Sequence, residues 1–204
     1  MCNLYTQSKS VDEVARIFAE MQAPLRFPEG APNLAARDIA ITDPGVIVRS
    51  AADGTGAFDL VVRRWSWPGA GGKPVYNFRS DGREFPTGRC LILADGFYEF
   101  TAPSDPRQKR KDRWLFTSRP GGADGAMIGI AGIVRTTPEI GEAFTMLTTE
   151  PGPDVAPFHN RQVAIVQPDC WKAWIDHSLT AAELLKPLAA GTLRVAPAPR
   201  AISP

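Results

Sequence analysis

Arg89-Cys90-Leu91-Ile92-Leu93-Ala94-Asp95-Gly96-Phe97-Tyr98-Glu99-Phe100 is the stretch on which the fold turns. Residues 90–94 and 97–100 have strand character, and Asp95-Gly96 between them is a turn signal. If the second strand starts at Phe97, alternation sets Phe97 and Glu99 on one face. An acid on an apolar face is costly unless it is paired or used, and burial raises its pKa. A carboxyl tuned that way gives and takes protons near neutral pH. The competing reading is a Glu on an edge strand, facing water.

Similar short runs flank this segment at residues 45–48, 58–62, 114–117, 127–134, 144–147 and 163–166. Gly, Pro and Asp clusters separate them. Helices are expected only towards the ends. Ser10-Val11-Asp12-Glu13 is a capping box, and Val11, Val14, Ala15, Phe18 and Met21 follow at helical spacing. A helix should therefore run over 11–21 and stop before Pro24. Pro168 opens a second short helix reaching Ile175. Thr180-Ala181-Ala182-Glu183 caps a third that ends near Pro187. Strands dominate the middle without regular strand–helix alternation, so the class is α+β rather than doubly wound α/β. No repeat or linker-like break in composition divides residues 1–204, which read as a single domain.

A chain of 204 residues, 44% hydrophobic and 22% charged, can bury a full core without disulfides. Cys2, Cys90 and Cys170 are an odd count with no Cys-x-x-Cys pair, which argues against a zinc ribbon or disulfide scaffold and fits a reducing cytosol. Cys90 and Cys170 read as small buried apolar residues. The sequence shows no basic leader followed by an apolar run and no membrane-length apolar stretch, so a cytoplasmic, nucleoid-associated location is expected. A net charge of +1 does not by itself announce a nucleic-acid partner. Arg outnumbers Lys 17 to 6, which suits bidentate phosphate contact and stacking on aromatic faces, although a GC-rich genome produces the same bias.

Chemistry has few possible carriers. Removal of Met1 would leave Cys2 with a free α-amine and a thiol on adjacent carbons. Such an aminothiol takes an aldehyde first as an imine and then as a five-membered thiazolidine. The amine titrates near about 7.7–8.0 and the thiol near about 8.5. Of the two histidines, His177 ends a helix, where an imidazolium would meet the negative end of the dipole, and reads as structural. His159 lies in a Pro-bounded loop with Arg161 two residues on, and is open to either a buried structural or a functional reading. Asn77-Phe78-Arg79 would point an amide and a guanidinium the same way, able to hold an oxyanion or phosphate. Trp65-Ser66-Trp67 would put two indoles on one side of a strand end, for core packing or for stacking on single-stranded nucleic acid. Two loops are long, the Gly-rich 66–88 and the basic 101–113. The latter reads first as a solvated hairpin loop, with phosphate contact as the alternative.

Taken in order, Met1-Cys2, Asn77-x-Arg79, the segment Arg89 to Glu99, Phe144 to Thr149 and His159-Asn160-Arg161 resemble the SOS response-associated peptidase (SRAP) family. This family includes proteins that cross-link to abasic sites in DNA. The resemblance implies a strand-rich pseudo-barrel with a few flanking helices and a groove for single-stranded DNA. By position, Cys2 resembles the family's nucleophile, Asn77 its positioning amide, Glu99 its acid/base and His159 the ring beside the reacting sugar. Asn33, Trp65, Trp67, Arg79, Thr149 and Arg161 are similar in place to DNA-contacting positions. The implied activity is Schiff-base chemistry at an abasic site, with Met1 removed by the protein itself or by another peptidase. The alternatives are a thiol peptidase using Cys2 and His159, and a non-catalytic single-strand-binding module. No metal or cofactor is implied, and a monomer is expected. The chain departs from the family at Asn3-Leu4, where Gly-Arg is common and the Arg contacts DNA, at Ala36, at Asp81 and at Gln162-Val163.

Overall fold

The computed structural model describes residues 2–105, 107–119 and 126–198. In chain order the first elements are β1 (Leu4–Gln7), α1 (Val11–Glu20), β2 (Leu25–Arg26), β3 (Arg37–Ala40), β4 (Pro44–Ser50) and β5 (Phe58–Trp65). Next come β6 (Trp67–Pro68), β7 (Pro74–Val75), β8 (Asn77–Arg79), β9 (Arg89–Ala94), β10 (Gly96–Thr101) and β11 (Asp112–Ser118). The last are β12 (Ile128–Thr137), β13 (Gly141–Thr149), β14 (Gln162–Val163), β15 (Ile165–Val166), α2 (Trp171–Ile175), α3 (Ala181–Leu184) and β16 (Leu193–Pro197).

Strands β13, β12, β9, β4 and β5 are antiparallel neighbours in that order. A parallel pairing of β5 with β13, Trp65 opposite Phe144, closes them on themselves. The strand-rich pseudo-barrel is thus real, and its alternation sorts the apolar residues into two rows. Ile47, Cys90, Ile92, Ile130, Phe144 and Met146 form one core with Tyr5, Ile39, Phe97 and Phe116 of a second sheet. Val46, Val48, Leu91, Leu93, Ala131 and Leu147 form the other, covered by Val14 and Phe18 of α1 and Trp171 and Trp174 of α2. Each tryptophan here keeps its polar end satisfied, Trp174 donating to the Cys90 carbonyl at 2.8 Å and Trp171 to that of Val166 at 2.9 Å. Burying a side chain of this kind contributes about 2–3 kcal/mol.

The second sheet has the order β16-β11-β10-β1-β3, all antiparallel. Strands β1, β3 and β16 are not legible from the sequence, because Leu-Tyr-Thr-Gln and Arg-Asp-Ile-Ala are too short and polar to stand out. Long-range pairing to β10 and β11 makes them strands. Residues 163–166 break at Ala164 into two strands, one on β13 and one on β12. The helix expected over 168–175 begins as a 3-10 turn, Pro168–Cys170, before α2. Cys90 is buried as expected, but Cys170 at the start of α2 is only partly so. His177 takes a left-handed conformation, φ 63°, just past α2. Burial, then Arg89, pushes its pKa down, which works against an imidazolium at this helix end.

Gly45 marks where the two sheets meet. A Cβ there would overlap the hydroxyl of Tyr5, which is fully buried and has no hydrogen-bond partner among the described residues. Gly45→Ala is therefore expected to destabilise the fold by about 1–3 kcal/mol, as overpacking does. Urea denaturation measures it, and adding Tyr5→Phe should recover part of the loss by removing the overlapped oxygen.

Candidate functional site at the start of β1

Strand β1 is tied down at both ends. At its far end the Asp95 carboxylate accepts from the Ser8 backbone N–H and, at 2.7 Å, from the Ser8 hydroxyl, with the Lys9 ammonium 3.8 Å away. Asp95-Gly96 is thus more than a turn. At the near end the Asn77 amide donates to the Cys2 carbonyl at 2.7 Å. Asn77 is carried there by β8, which lies parallel to β13 with Asn77 opposite Met146. Its Oδ1 is buried and has no hydrogen-bond partner among the described residues.

Glu99 sits on β10 between β1 and β11, not at an edge. Tyr5 lies opposite Phe97, so the same register carried two residues on puts Asn3 opposite Glu99. Glu99 is 1% exposed, and burial pushes its pKa from 4.5 to about 7. The Cys2 thiol donates to the Leu4 carbonyl at 3.2 Å. Burial, together with the nearby Glu99 charge, pushes that thiol up to about 12.

His159 is presented by the turn after Val155, whose carbonyl accepts its backbone N–H at 3.0 Å. The ring Nδ1 is fixed 3.0 Å from the backbone N–H and the carbonyl of Arg161. Where Nδ1 accepts that N–H, a neutral ring carries its hydrogen on Nε2. Burial lowers the His159 pKa below its usual value, which favours the neutral ring. Asn3, Leu4, Glu99, His159, Arg110 and Lys111 line one cleft of about 670 Å³. Cys2 and Asn77 lie off its lining, Cys2 as the residue before Asn3 and Asn77 bonded to the Cys2 carbonyl.

The positions placed by resemblance on DNA do not converge in this way. Trp65 is fully buried, donates Nε1–H to the Tyr76 carbonyl at 2.9 Å and meets Tyr5 and Tyr76 edge-on. Its ring has no open face for a base, so a stacking role is corrected to core packing. Trp67 is also buried, on β6. Ser66, with φ 84°, breaks the extended run between them, so they do not form the expected pair at one strand end. Arg161 donates to Asp81 at 2.5 Å and to the Thr148 carbonyl at 2.8 Å, which makes it a tether rather than an open cation. Thr149 is buried beside Asp81 in a separate hollow of about 310 Å³. Asn33 is exposed at another of about 230 Å³, and Arg79 is exposed on β8. Arg110 and Lys111 come from the basic stretch 101–113, for which the sequence leaves phosphate contact as the alternative to a solvated loop.

Among the described residues no group of His, Cys, Asp and Glu could hold a metal ion, and no helix is long and apolar enough to cross a membrane. No curated protein matches the chain. Solved structures share its fold. A protein from Bordetella bronchiseptica superposes with a TM-score of 0.70 at 22% identity, covering 98% of this chain and 100% of its own. A phage-related protein from the same organism gives 0.72 at 20% identity, with 98% and 95% covered. A protein from Bacteroides thetaiotaomicron gives 0.68 at 18%, with 96% and 91% covered. The family model described as SOS response associated peptidase (SRAP) matches residues 1–203, essentially the whole length, and the chain belongs to that family.

Proposed function

We propose that this member of a DNA-damage-associated peptidase family captures abasic sites in single-stranded DNA through Cys2, once Met1 is gone. The observation that carries the reading is Glu99, a buried carboxyl with a pKa of about 7 that lines a cleft with His159 and lies close to Cys2.

An abasic deoxyribose is partly an open-chain aldehyde, and its missing base removes the need to extrude one. The Cys2 amine adds to C1′ and gives a carbinolamine. Glu99 protonates the departing hydroxyl, water leaves and an imine forms. The Cys2 thiol then adds across the C=N bond, its proton passing through Glu99 to the ring nitrogen, and the thiazolidine closes. One water is released, and no oxidant is needed. Asn77 fixes the Cys2 carbonyl, and its open Oδ1 is an acceptor for the amine's N–H. His159 suits the sugar oxygen as a donor from Nε2 where its Nδ1 accepts the Arg161 N–H. The product shields the lesion from strand cleavage.

A thiol peptidase acting on other chains would start from a thiolate. Burial holds this thiol protonated at neutral pH, so the amine leads. Removal of Met1 is the one peptide cleavage the reading requires.

Cys2→Ser separates the two steps. It keeps the amine and removes the thiol, so it should yield no denaturation-stable adduct on abasic single-stranded DNA unless borohydride is added to reduce the imine. A stable adduct from Cys2→Ser without reductant, or none even with it, would count against this order of events.

A further inference from the structure

The cleft holding Glu99 does not end at the basic loop. Arg110 and Lys111 also line a second cleft of about 550 Å³, with Gln108, Arg113, Trp114 and Pro197. The sheet register joins the two. Glu99 lies opposite Trp114, and Trp114 opposite Pro197, so the three form one row across β10, β11 and β16. Each step between strands is about 5 Å. Opposed residues in an antiparallel pair share a face, so Trp114 flanks Glu99 on the side away from β1.

Trp114 is fixed from two sides. Its Nε1–H donates to the Thr101 hydroxyl at 2.9 Å, and its ring packs on Phe158, centroids 4.9 Å apart, next to His159. It is nevertheless only partly buried, and the second cleft exposes it. The cations around it divide into two kinds. Arg113 is committed to Asp38 at 2.9 Å and to the Tyr98 ring at 3.9 Å. Arg110 and Lys111 are exposed and have no carboxylate partner among the described residues. Lys111 is near enough to His159 to add to the depression of its pKa that burial causes. An aromatic face beside uncommitted cations is the combination that tracks single-stranded nucleic acid.

We infer that the second cleft is a subsite for the nucleotide adjoining the lesion, its base against Trp114 and the linking phosphate between Arg110 and Lys111. The inference rests on the abasic-site reading above for what fills the first cleft. It also supplies, from the loop after β10, the positive charge that Leu4 does not bring to the same cleft.

The test uses single-stranded oligonucleotides carrying a tetrahydrofuran abasic analogue, which has no aldehyde and cannot cross-link. Binding is followed by fluorescence anisotropy for strands flanked on both sides, or cut back to the analogue on the 5′ or the 3′ side. Wild type should lose about tenfold in affinity when one particular flank is removed, the scale of a single stacked base. Trp114→Leu should show no such penalty. Arg110→Ala/Lys111→Ala, confined to an exposed loop, should lower the slope of log K against log salt by about 0.7 for each phosphate it no longer neutralises. Equal flank penalties in wild type and Trp114→Leu, or an unchanged salt slope in the loop variant, overturn the subsite. So does wild type that binds none of these strands. A natural abasic strand run in parallel reads the covalent step separately, so its failure to cross-link would remove aldehyde capture without deciding the subsite.

Discussion

Glu99→Gln is expected to slow adduct formation by about 10²- to 10⁴-fold, the usual loss when a positioned acid–base group is removed. Gln fills the same space and keeps a hydrogen-bonding end, but it cannot move a proton. The pH profile gives the signature. In wild type the rate should rise with pH as the Cys2 amine loses its proton near about 7.7–8.0. It should fall as Glu99, the acid for dehydration, ionises near its pKa of about 7. The product is a bell, and Glu99→Gln should lose the falling limb.

Stability should move the opposite way. The folded pKa of Glu99 is raised from 4.5 to about 7, so the folded state holds its proton more tightly than the unfolded chain does. Stability tied to this group is then fully present below pH 4.5 and is lost as pH rises to about 7. Glu99→Gln removes that loss, so the variant should resist denaturant better than wild type at pH 8 and differ little at pH 4. Urea curves at the two pH values check the sign. A Glu kept in the core for packing alone would not join a stability gain to a catalytic loss.

Placing Cys2 one residue inside the chain should have an equally large effect. A Gly-Ser extension that survives processing leaves the thiol untouched but turns the amine into an amide. Adduct formation should fall by at least about 10³-fold, because nothing replaces an amine and thiol held on adjacent carbons. Cys2→Ala should also leave no stable adduct, through loss of the ring-closing sulfur. A thiol peptidase would tolerate the extension and not Cys2→Ala, and a plain binding module would tolerate both. The two variants together therefore separate the three activities. Denaturing gels score the adduct, cleavage of a peptide substrate scores the peptidase, and fluorescence anisotropy scores reversible binding.

The central strands were legible because they carry their own pattern, whereas their closure into a barrel was implied only by the family resemblance. Residues 90–94 and 97–100 alternate or run apolar strongly enough to be seen without their partners, and so does the capping box at Ser10. Strand β1 was not, since Leu4–Gln7 becomes a strand only by pairing with Phe97 and Ile39 and by the Asp95 tether. That gap matters, because β1 is what brings Cys2 to Glu99. Alternation put Glu99 on the face of Phe97 but left an edge strand facing water open, and its burial follows from β10 lying between β1 and β11. The meeting of Cys2, Asn77, Glu99 and His159 from four distant segments could come only from family resemblance or coordinates. Trp65 shows the converse. Spacing alone cannot tell an indole stacked on a base from one pinned between Tyr5 and Tyr76. Lys111 shows that a loop whose composition reads as solvated can form the wall of a cleft, a property of where β10 and β11 end rather than of the loop itself.

The central claim is that a terminal Cys2 takes the aldehyde. Intact mass spectrometry of the protein mixed with single-stranded DNA bearing one natural abasic site tests it most directly. Protein lacking Met1 should gain the mass of the oligonucleotide less one water, survive denaturation, and yield a peptide modified at Cys2. Protein shown by mass to begin at Cys2 that gains nothing, or that gains the oligonucleotide at a lysine instead, would contradict it.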